Sequence, residues 1–316
     1  MSSGSNVADL PRFLDSRLAA FPADTDADVA ALLEALHAKH ANQISSVLLY
    51  GSYLRGARDT LLDFYVVVED YRRALGSGLA AASAFAMPPN VYYLSLRNGE
   101  RELRAKYAIV SRRQLQRQVR SVHPYFWARL TQPCCLVYAR DVTARTQLVT
   151  ILVAAVDTFV QRVACMMEGR FTAADFWNKG FALTYKAELR AEKSGRVASL
   201  FAHDVDYYTE LLRLRAGAHN VMVQADADPV RYSVAGPEPS ARSRWTWRWT
   251  IALGKLLSVA RLVKAAVTFN DPIDYILWKI ERHSGVRVEA SERQKRYPLI
   301  FAWPLAWRLF RLGAFR

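Results

Sequence analysis

The stretch VLLYGSY (residues 47–53), followed by LLDFYVVV (residues 61–68), decides the fold that we expect for this chain. Apolar runs rich in Val and aromatic residues predict two neighbouring strands, over Ser45–Tyr50 and Leu62–Glu69. Gly51 and Ser52 end the first strand abruptly. Because glycine has no Cβ, such a turn lets backbone N–H groups and a hydroxyl approach phosphate oxygens.

Asp63 lies on the second strand, about eleven residues after Ser52. A carboxylate there can hold Mg²⁺ against phosphates, since this ion prefers oxygen ligands and keeps substrate phosphates among them. Glu69 shares a strand face with Asp63, but six residues of strand span about 20 Å, so the two cannot share one metal. The candidates for a second metal ligand are Asp59, Glu100 and Glu102.

Further strands and helices are expected on either side of this pair. Asn98-Gly99 between two strand-like runs favours a hairpin with a type I′ turn, because both central residues need positive φ. The predicted strands are Val91–Arg97, Glu100–Ser111 and Cys134–Tyr138. Helices are predicted within residues 8–41 and over Val149–Met167, Ala173–Lys193 and Asp204–Ala216. Residues 217–244, with their Pro, Gly and Ser, predict a loop or linker.

These elements indicate an α+β fold: a mixed sheet with flanking helices, then a helical domain, then a basic amphipathic C-terminal tail. The domain boundaries that we expect are 1–145, 146–225 and 226–316. A chain of 316 residues with 52% hydrophobic residues has ample material for a core, which excludes intrinsic disorder.

The net charge of +14 is unevenly distributed. Residues 1–238 carry 28 basic and 24 acidic side chains, whereas residues 239–316 carry 15 and 5. A basic C-terminal quarter implies an anionic partner: nucleic acid, a phosphorylated substrate or an acidic membrane surface.

The sequence favours a protein of the cytoplasm, peripheral on the cytoplasmic face of a membrane and without a transmembrane span. The three cysteines, Cys134, Cys135 and Cys165, fit buried apolar residues in a reducing compartment rather than a disulfide framework or zinc site. The N-terminus has no secretory signal pattern. The apolar run 249–269 is interrupted by three basic residues, which argues against a span.

The tail interleaves Trp with Arg, which suits a membrane interface. Trp303, Trp307, Arg308 and Arg311 give a moderate amphipathic pattern and are the predicted membrane residues. The helix expected over 245–269 is less regular, since Arg248 and Lys255 fall opposite Arg261 and Lys264. Alternatively, these helices pack on the body with solvated charges. Nucleic acid is disfavoured, because the segments are apolar and contain no recognised module.

The Gly51-Ser52 turn with Asp63 resembles the polymerase-β-like nucleotidyltransferase superfamily, whose signature is Gly-Ser, a short spacer and Asp-x-Asp on a strand. Tyr65 occupies the second Asp position. Five segments in order resemble, more narrowly, the mitochondrial-type CDP-diacylglycerol synthase family (phosphatidate cytidylyltransferase, translocator assembly and maintenance). They are residues 50–52, 62–70, 90–93, 106–111 and 185–190. Ala108, and Lys186-Ala187-Glu188, depart from that family's pattern.

This resemblance implies a nucleotidyltransferase-like domain over 1–145 and a CTP:phosphatidate cytidylyltransferase of phospholipid biosynthesis. Its substrates would be CTP and phosphatidic acid, and its cofactor Mg²⁺. Ser52, Asp63 and Lys106 would be catalytic, with Asp63 binding the metal. The residues implied for nucleotide and phosphate binding are Gly51, Ser52, Tyr107, Lys186, Glu188, Arg190, Lys193 and Arg196. Two alternatives stay open: an enzyme of this fold with another acceptor, and an inactive nucleotide- or lipid-binding scaffold.

Overall fold

The protein is an α+β structure built on a mixed five-stranded sheet with flanking helices. The computed structural model describes residues 6–268, except 20–25, 41–42, 58–59, 77, 100, 189–194, 225–229 and 235–238. Its strands are β1 Ile44–Tyr50, β2 Leu62–Val68, β3 Asn90–Asn98, β4 Arg101–Ser111, β5 Cys134–Ala139, β6 Arg170–Phe171, β7 Val221–Gln224 and β8 Arg231–Val234. Its helices are α1 Asn6–Leu18, α2 Ala27–His40, α3 Tyr71–Leu75, α4 Gly78–Ala86, α5 Arg112–Gln118, α6 Trp127–Leu130, α7 Val142–Ala164, α8 Ala173–Lys186, α9 Gly195–His203, α10 Val205–Arg215 and α11 Ala241–Thr268.

The large sheet has the strand order β3-β4-β2-β1-β5. Strands β2 and β4 are parallel, and the other neighbours are antiparallel. The expected β1–β2 pair and the β3–β4 hairpin are therefore confirmed. The expected positive φ at both Asn98 and Gly99 is not, because Asn98 pairs with Arg101 in the ladder and keeps a negative φ, whereas Gly99 has a φ of +62°. This topology brings β1, β2 and β4, the three strands with candidate catalytic residues, side by side.

Each face of the sheet is covered by its own set of helices, because side chains alternate between the faces of a strand. One face packs against α2, α3 and α4 through residues such as Phe64 and Ile109. The other packs against α1, α7, α8 and α10 through Leu48, Tyr65 and Val110. This second core is continuous from α1 to Trp247 of α11, so it joins elements from all three predicted domains, whose boundaries stay a prediction.

Two predictions about the second half of the chain need correction. Residues 217–244 are not all linker: β7 and β8 form a hairpin, which adds to β6 in a three-stranded sheet. Strands of four residues among Gly and Pro produce too short an alternation to be recognised. The helix predicted over Ala173–Lys193 ends at Lys186.

The helix α7 is the one helix of the described residues that is long and apolar enough to cross a membrane. Its apolar stretch is 67% buried within the protein, where it forms the centre of the second core. The expectation of a core helix here is therefore confirmed, and the packing is compatible with a soluble or peripheral protein. The membrane residues predicted in the tail, Trp303, Trp307, Arg308 and Arg311, lie outside the described residues.

Candidate functional site

Asp63 belongs to a row of side chains that crosses the whole sheet. Its register partner on β4 is Lys106, which in turn lies opposite Tyr93 on β3. On its other side Asp63 lies opposite Tyr50 of β1, and Tyr50 lies opposite Cys134 of β5. Register partners project from the same face of a sheet. The sheet therefore places the two predicted catalytic side chains Asp63 and Lys106 next to each other.

Gly51 lies directly against the carboxylate of Asp63. Its φ of +93° is in the region that side chains other than glycine rarely adopt, and a Cβ built on it would lie 3.0 Å from Asp63 Oδ2. A side chain at this position would therefore crowd the carboxylate. Gly51 is thus required here both by its backbone conformation and by its proximity to Asp63.

Ser52 begins a tight turn beside Gly51. Its carbonyl accepts hydrogen bonds from the amides of Arg55 and Ala57, at 3.1 and 3.2 Å. Its hydroxyl lies 3.0 Å from the hydroxyl of Thr60, a residue that the sequence analysis did not single out. The turn is also anchored to the residue that precedes α2, because the hydroxyl of Tyr53 donates to Asp26 Oδ2 at 2.8 Å. The half-buried Ser52 is therefore held at the end of β1, near Asp63.

Aromatic rings form the interior side of this row. Tyr50 and Tyr65 stack with centroids 4.6 Å apart, and Tyr65 packs on Phe126. Burial raises the pKa of Tyr50 well above its ordinary value, with further contributions from Tyr65 and Asp63. Tyr65, which replaces the second acidic residue of the superfamily signature, is thus a core residue and brings no charge to the site.

Behind the aromatic layer lies a cluster of charged side chains. Arg129 donates from both terminal nitrogens to the two carboxylate oxygens of Glu188, at 2.8 and 2.6 Å. Burial alone would lower the pKa of Arg129, but Glu188 raises it well above the ordinary value. The guanidinium carbons of Arg129 and Arg261 lie 4.0 and 4.2 Å from the ring centroid of Tyr125. Glu188, predicted as a phosphate-binding residue, is therefore engaged by an arginine.

Of the remaining predicted binding residues, the structure describes the side chains of Tyr107 and Lys186, and Tyr107 does not face Asp63. Tyr107 is one position from Lys106, so it projects from the opposite face, where it is buried beside Tyr92 and His40. Lys186 is exposed at the end of α8. Arg190 and Lys193 lie outside the described residues, and Arg196 lies in α9 with no described side chain.

The second metal ligand stays unassigned. Within the part of the chain that the structure describes, no group of three His, Cys, Asp or Glu side chains could hold a metal ion. Asp59 and Glu100 are not among the described residues. Glu102 is four residues from Lys106 along β4, about 13 Å from the row of Asp63. It accepts hydrogen bonds from Ser95 and Arg104 instead.

A cavity of about 160 Å³ adjoins the turn on the side of β5. Gly51, Leu54, Arg55 and Cys134 line its wall near the turn. Burial raises the pKa of the Cys134 thiol to about 12, so this cysteine is protonated and unsuited to act as a nucleophile. Cys135 is buried as expected, whereas Cys165 is exposed.

Sequence reasoning identified the strand residues of the site and missed its distant ones. Alternation along β1 and β2 could have added Tyr50 to the row of Asp63. No local sequence signal marks Thr60. The same holds for Tyr125, Arg129 and Arg261, because only the packing of the α6 region and α11 brings these three together. No protein-family model matches the chain, and no curated protein matches it significantly.

Proposed function

We propose that this protein is an Mg²⁺-dependent nucleotidyltransferase that transfers a cytidylyl group from CTP to phosphatidic acid. The observation that carries the proposal is the approach of Gly51 to the Asp63 carboxylate, with Lys106 as the register partner of Asp63. A glycine turn, a carboxylate and a lysine on three adjacent strands suit phosphoryl-type transfer. In such transfer the protein chiefly positions the reactants and stabilises negative charge.

The residues of the row have separate roles in this proposal. The Gly51 backbone and the Ser52 hydroxyl bind the triphosphate, and Lys106 interacts with a phosphate oxygen as a point charge. The phosphate of phosphatidic acid attacks the α-phosphorus of CTP, and pyrophosphate leaves. No general base is needed, since the attacking phosphate is already ionised near neutral pH.

Mg²⁺ fits the site as an ion held by one carboxylate together with the substrate. Asp63 is half-buried, and Gly51 lacks the Cβ that would lie 3.0 Å from its Oδ2. Mg²⁺ typically binds to one or two carboxylates and keeps water and phosphate oxygens as its other ligands. Asp63 would therefore hold the ion, which would supply neutralisation of the phosphate charge.

The outer surface of α11 supports the membrane part of the proposal. Trp245, Trp249, Leu253, Leu256 and Val259 are all exposed and recur at intervals of three or four residues, so they form one stripe. We call these five residues the α11 stripe. The exposed basic residues of α11 are Arg242, Arg244, Arg248 and Lys255, and residues 239–269 contain no acidic side chain. Trp with basic residues is the composition of a surface that binds anionic lipid.

The test of activity is pyrophosphate release from CTP by the full chain, with Mg²⁺ and vesicles containing phosphatidic acid. We expect Asp63→Asn to lower the rate at least a hundredfold. Asp70→Asn is the matched control, because Asp70 caps α3 with bonds to the amides of Arg72 and Arg73, away from the site. Its rate should stay within about twofold of the unsubstituted protein.

The outcome also separates the alternatives. If pyrophosphate is released with another acceptor but not with phosphatidic acid, the enzyme is a nucleotidyltransferase with a different substrate. CTP binding without pyrophosphate release from any acceptor would overturn catalysis in favour of a scaffold. If the Asp63 and Asp70 variants release pyrophosphate at equal rates, the assignment of the active site to Asp63 is wrong.

Vesicle flotation tests the α11 stripe. The double variant Trp249→Ser, Leu256→Ser should bind phosphatidic acid vesicles at least tenfold more weakly, because each apolar side chain contributes about 1.5–3 kcal/mol when fully buried. Val142→Ser removes a still more exposed apolar group, at the start of α7, and is the control. Equal binding by the two variants would contradict this role of α11.

A further inference from the structure

Arg261 of α11 is a half-buried cation with two buried nitrogens that no other described residue engages. Its Nε and Nη1 atoms are both buried, and neither has a hydrogen-bond partner among the described residues. Both atoms carry N–H donors and a guanidinium has no acceptor, so only an anion, a carbonyl or water can satisfy them. An unsatisfied buried donor is costly, and a charged one more so.

The surroundings of Arg261 have an excess of positive charge. The main electrostatic influences on it are Tyr125, Arg129, Glu188 and Tyr65, with Glu188 the one carboxylate among them. Both oxygens of Glu188 already accept from Arg129. Burial lowers the pKa of Arg261, and the neighbouring Arg129 lowers it further. Two guanidinium groups at one tyrosine ring therefore share a single negative charge.

This cluster adjoins the row of Asp63. Tyr50 is influenced electrostatically by Asp63 on one side and by Tyr125 and Arg129 on the other. Tyr65 stacks on Tyr50 and contributes to the electrostatic environment of both arginines. The stacked rings of Tyr50 and Tyr65 therefore connect the row of Asp63 to the two arginines.

We propose that Arg261, with Arg129 beside it at the ring of Tyr125, binds a phosphate monoester dianion. Arg129 sets the positive potential and Arg261 supplies the free donors. Guanidinium groups suit this ligand, because their N–H groups match phosphate oxygens and are less strongly hydrated than an ammonium. The identity of the phosphate rests on the proposed function, in which the headgroup of phosphatidic acid is the dianion and the triphosphate occupies the Gly51 turn.

The first experiment measures thermal unfolding of the full chain in a phosphate-free buffer and with rising inorganic phosphate. A ligand that binds only the folded state stabilises it by about 2.7 kcal/mol at a hundred times its Kd. We expect phosphate to raise the Tm of the unsubstituted protein and not that of Arg261→Met. In phosphate-free buffer Arg261→Met should be at least as stable as the unsubstituted protein, because it removes a buried charge beside Arg129.

Two further variants make the result specific. Arg261→Lys keeps the charge but not the planar donors, so it should retain a phosphate response weakened at least threefold. Arg213→Met removes the arginine of an exposed pair with Glu210 and should respond to phosphate as the unsubstituted protein does. Should Arg261→Met fail to fold, Arg261→Lys carries the comparison with Arg213→Met.

Vesicle binding distinguishes the two sources of phosphate. If the dianion is a lipid headgroup, Arg261→Met should lose at least fivefold in affinity for phosphatidic acid vesicles relative to vesicles of phosphatidylglycerol, whose phosphodiester carries one charge. If the site takes free phosphate, the two vesicle affinities should keep their ratio while the Tm response to inorganic phosphate is lost.

The proposal is overturned if phosphate raises the Tm of Arg261→Met as much as that of the unsubstituted protein. It is also overturned if Arg261→Met is destabilised in phosphate-free buffer and keeps its full phosphate response, which would indicate a purely structural arginine. If pyrophosphate release depends on Asp63 but Arg261→Met keeps its Tm response to phosphate, the Arg261 site is wrong and the enzymatic function stands. If Arg261→Met loses its Tm response but no acceptor supports pyrophosphate release, the enzymatic function is wrong and the Arg261 site stands.

Discussion

At the scale of single residues, Gly51 connects the backbone of the turn to the chemistry proposed for Asp63. The structure contains a natural comparison, because Gly56 follows in the same turn at φ +86°. A Cβ on Gly56 would meet nothing within 4 Å, whereas one on Gly51 would meet the Asp63 carboxylate. The two glycines therefore separate the cost of the backbone conformation from the cost of disturbing Asp63.

We predict that Gly51→Ala and Gly56→Ala each lower the free energy of unfolding by about 1–2 kcal/mol, since both place a Cβ at positive φ. Only Gly51→Ala should also lower CTP-dependent pyrophosphate release, at least tenfold, because its methyl group displaces the Asp63 carboxylate. Urea unfolding and the release assay check the two effects. An equal loss of activity in Gly56→Ala would show that the turn, and not its contact with Asp63, matters.

His123 is a residue-scale probe of the burial around Arg261. Its side chain is 6% exposed, and burial, reinforced by Arg261, lowers its pKa to about 4. The unfolded chain therefore binds the proton more readily than the folded one between about pH 6.5 and pH 4. The contribution of neutral His123 to the free energy of unfolding is therefore complete above pH 6.5. As the pH falls from 6.5 to 4, this contribution decreases by up to about 1.4 kcal/mol per pH unit.

We predict that His123→Gln makes the free energy of unfolding less dependent on pH between 6.5 and 4. Gln keeps an acceptor for the amide of Tyr125, which now donates to His123 Nδ1 at 3.2 Å. Urea unfolding at four pH values gives the slope, and the half-buried His37→Gln is the control. Identical slopes in the His123 variant and the unsubstituted protein would contradict this assignment.

At the scale of elements, strands were more predictable than the contacts between helices. The runs around Gly51 and Asp63 and the Asn98-Gly99 turn specify β1 to β4 because alternation and turn chemistry are local properties. The hairpin β7–β8 was missed, since its strands are short. Alternation places Lys106 and Tyr107 on opposite faces of β4, but which of the two faces Asp63 depends on the register of β4 against β2, which the motif alone does not specify.

The helix α11 shows the limit of sequence periodicity most clearly. From the sequence its charges fall on opposite sides, which argues against a simple amphipathic helix. In the structure the two sides have different surroundings: Arg248 and Lys255 are exposed, whereas Arg261 contacts Tyr125 and Lys264 donates to the carbonyls of Ser83, Met87 and Pro89. Because each side of α11 has different surroundings, its charged residues do not lie on one face, and the periodicity of the sequence does not indicate an amphipathic helix.

At the scale of the whole molecule, α11 joins the large sheet, the helical core and the proposed membrane surface. Trp247 enters the core beside Trp127, Gly254 lies on the backbone of Ala187, and Lys264 binds the end of α4. Its outer face is the α11 stripe. The lipid binding proposed for that face and the phosphate binding proposed for Arg261 on the inner face would therefore both depend on how α11 is placed on the protein.

We predict that Gly254→Ala moves α11 away from the body of the protein. Its Cβ would lie 2.3 Å from the carbonyl oxygen of Ala187, a backbone atom that cannot yield. The displacement should lower the free energy of unfolding by about 1–3 kcal/mol, increase amide hydrogen exchange over residues 241–268, and abolish the phosphate response that depends on Arg261.

Gly180→Ala is the matched control for this prediction. Its Cβ would lie 2.5 Å from Phe159 Cζ, so it overpacks the contact between α7 and α8 by a similar amount without touching α11. It should lower stability comparably but keep both slow exchange in α11 and the phosphate response. If Gly180→Ala lost the response as well, binding would follow global stability, and the placement of α11 would not be what holds Arg261 at the site.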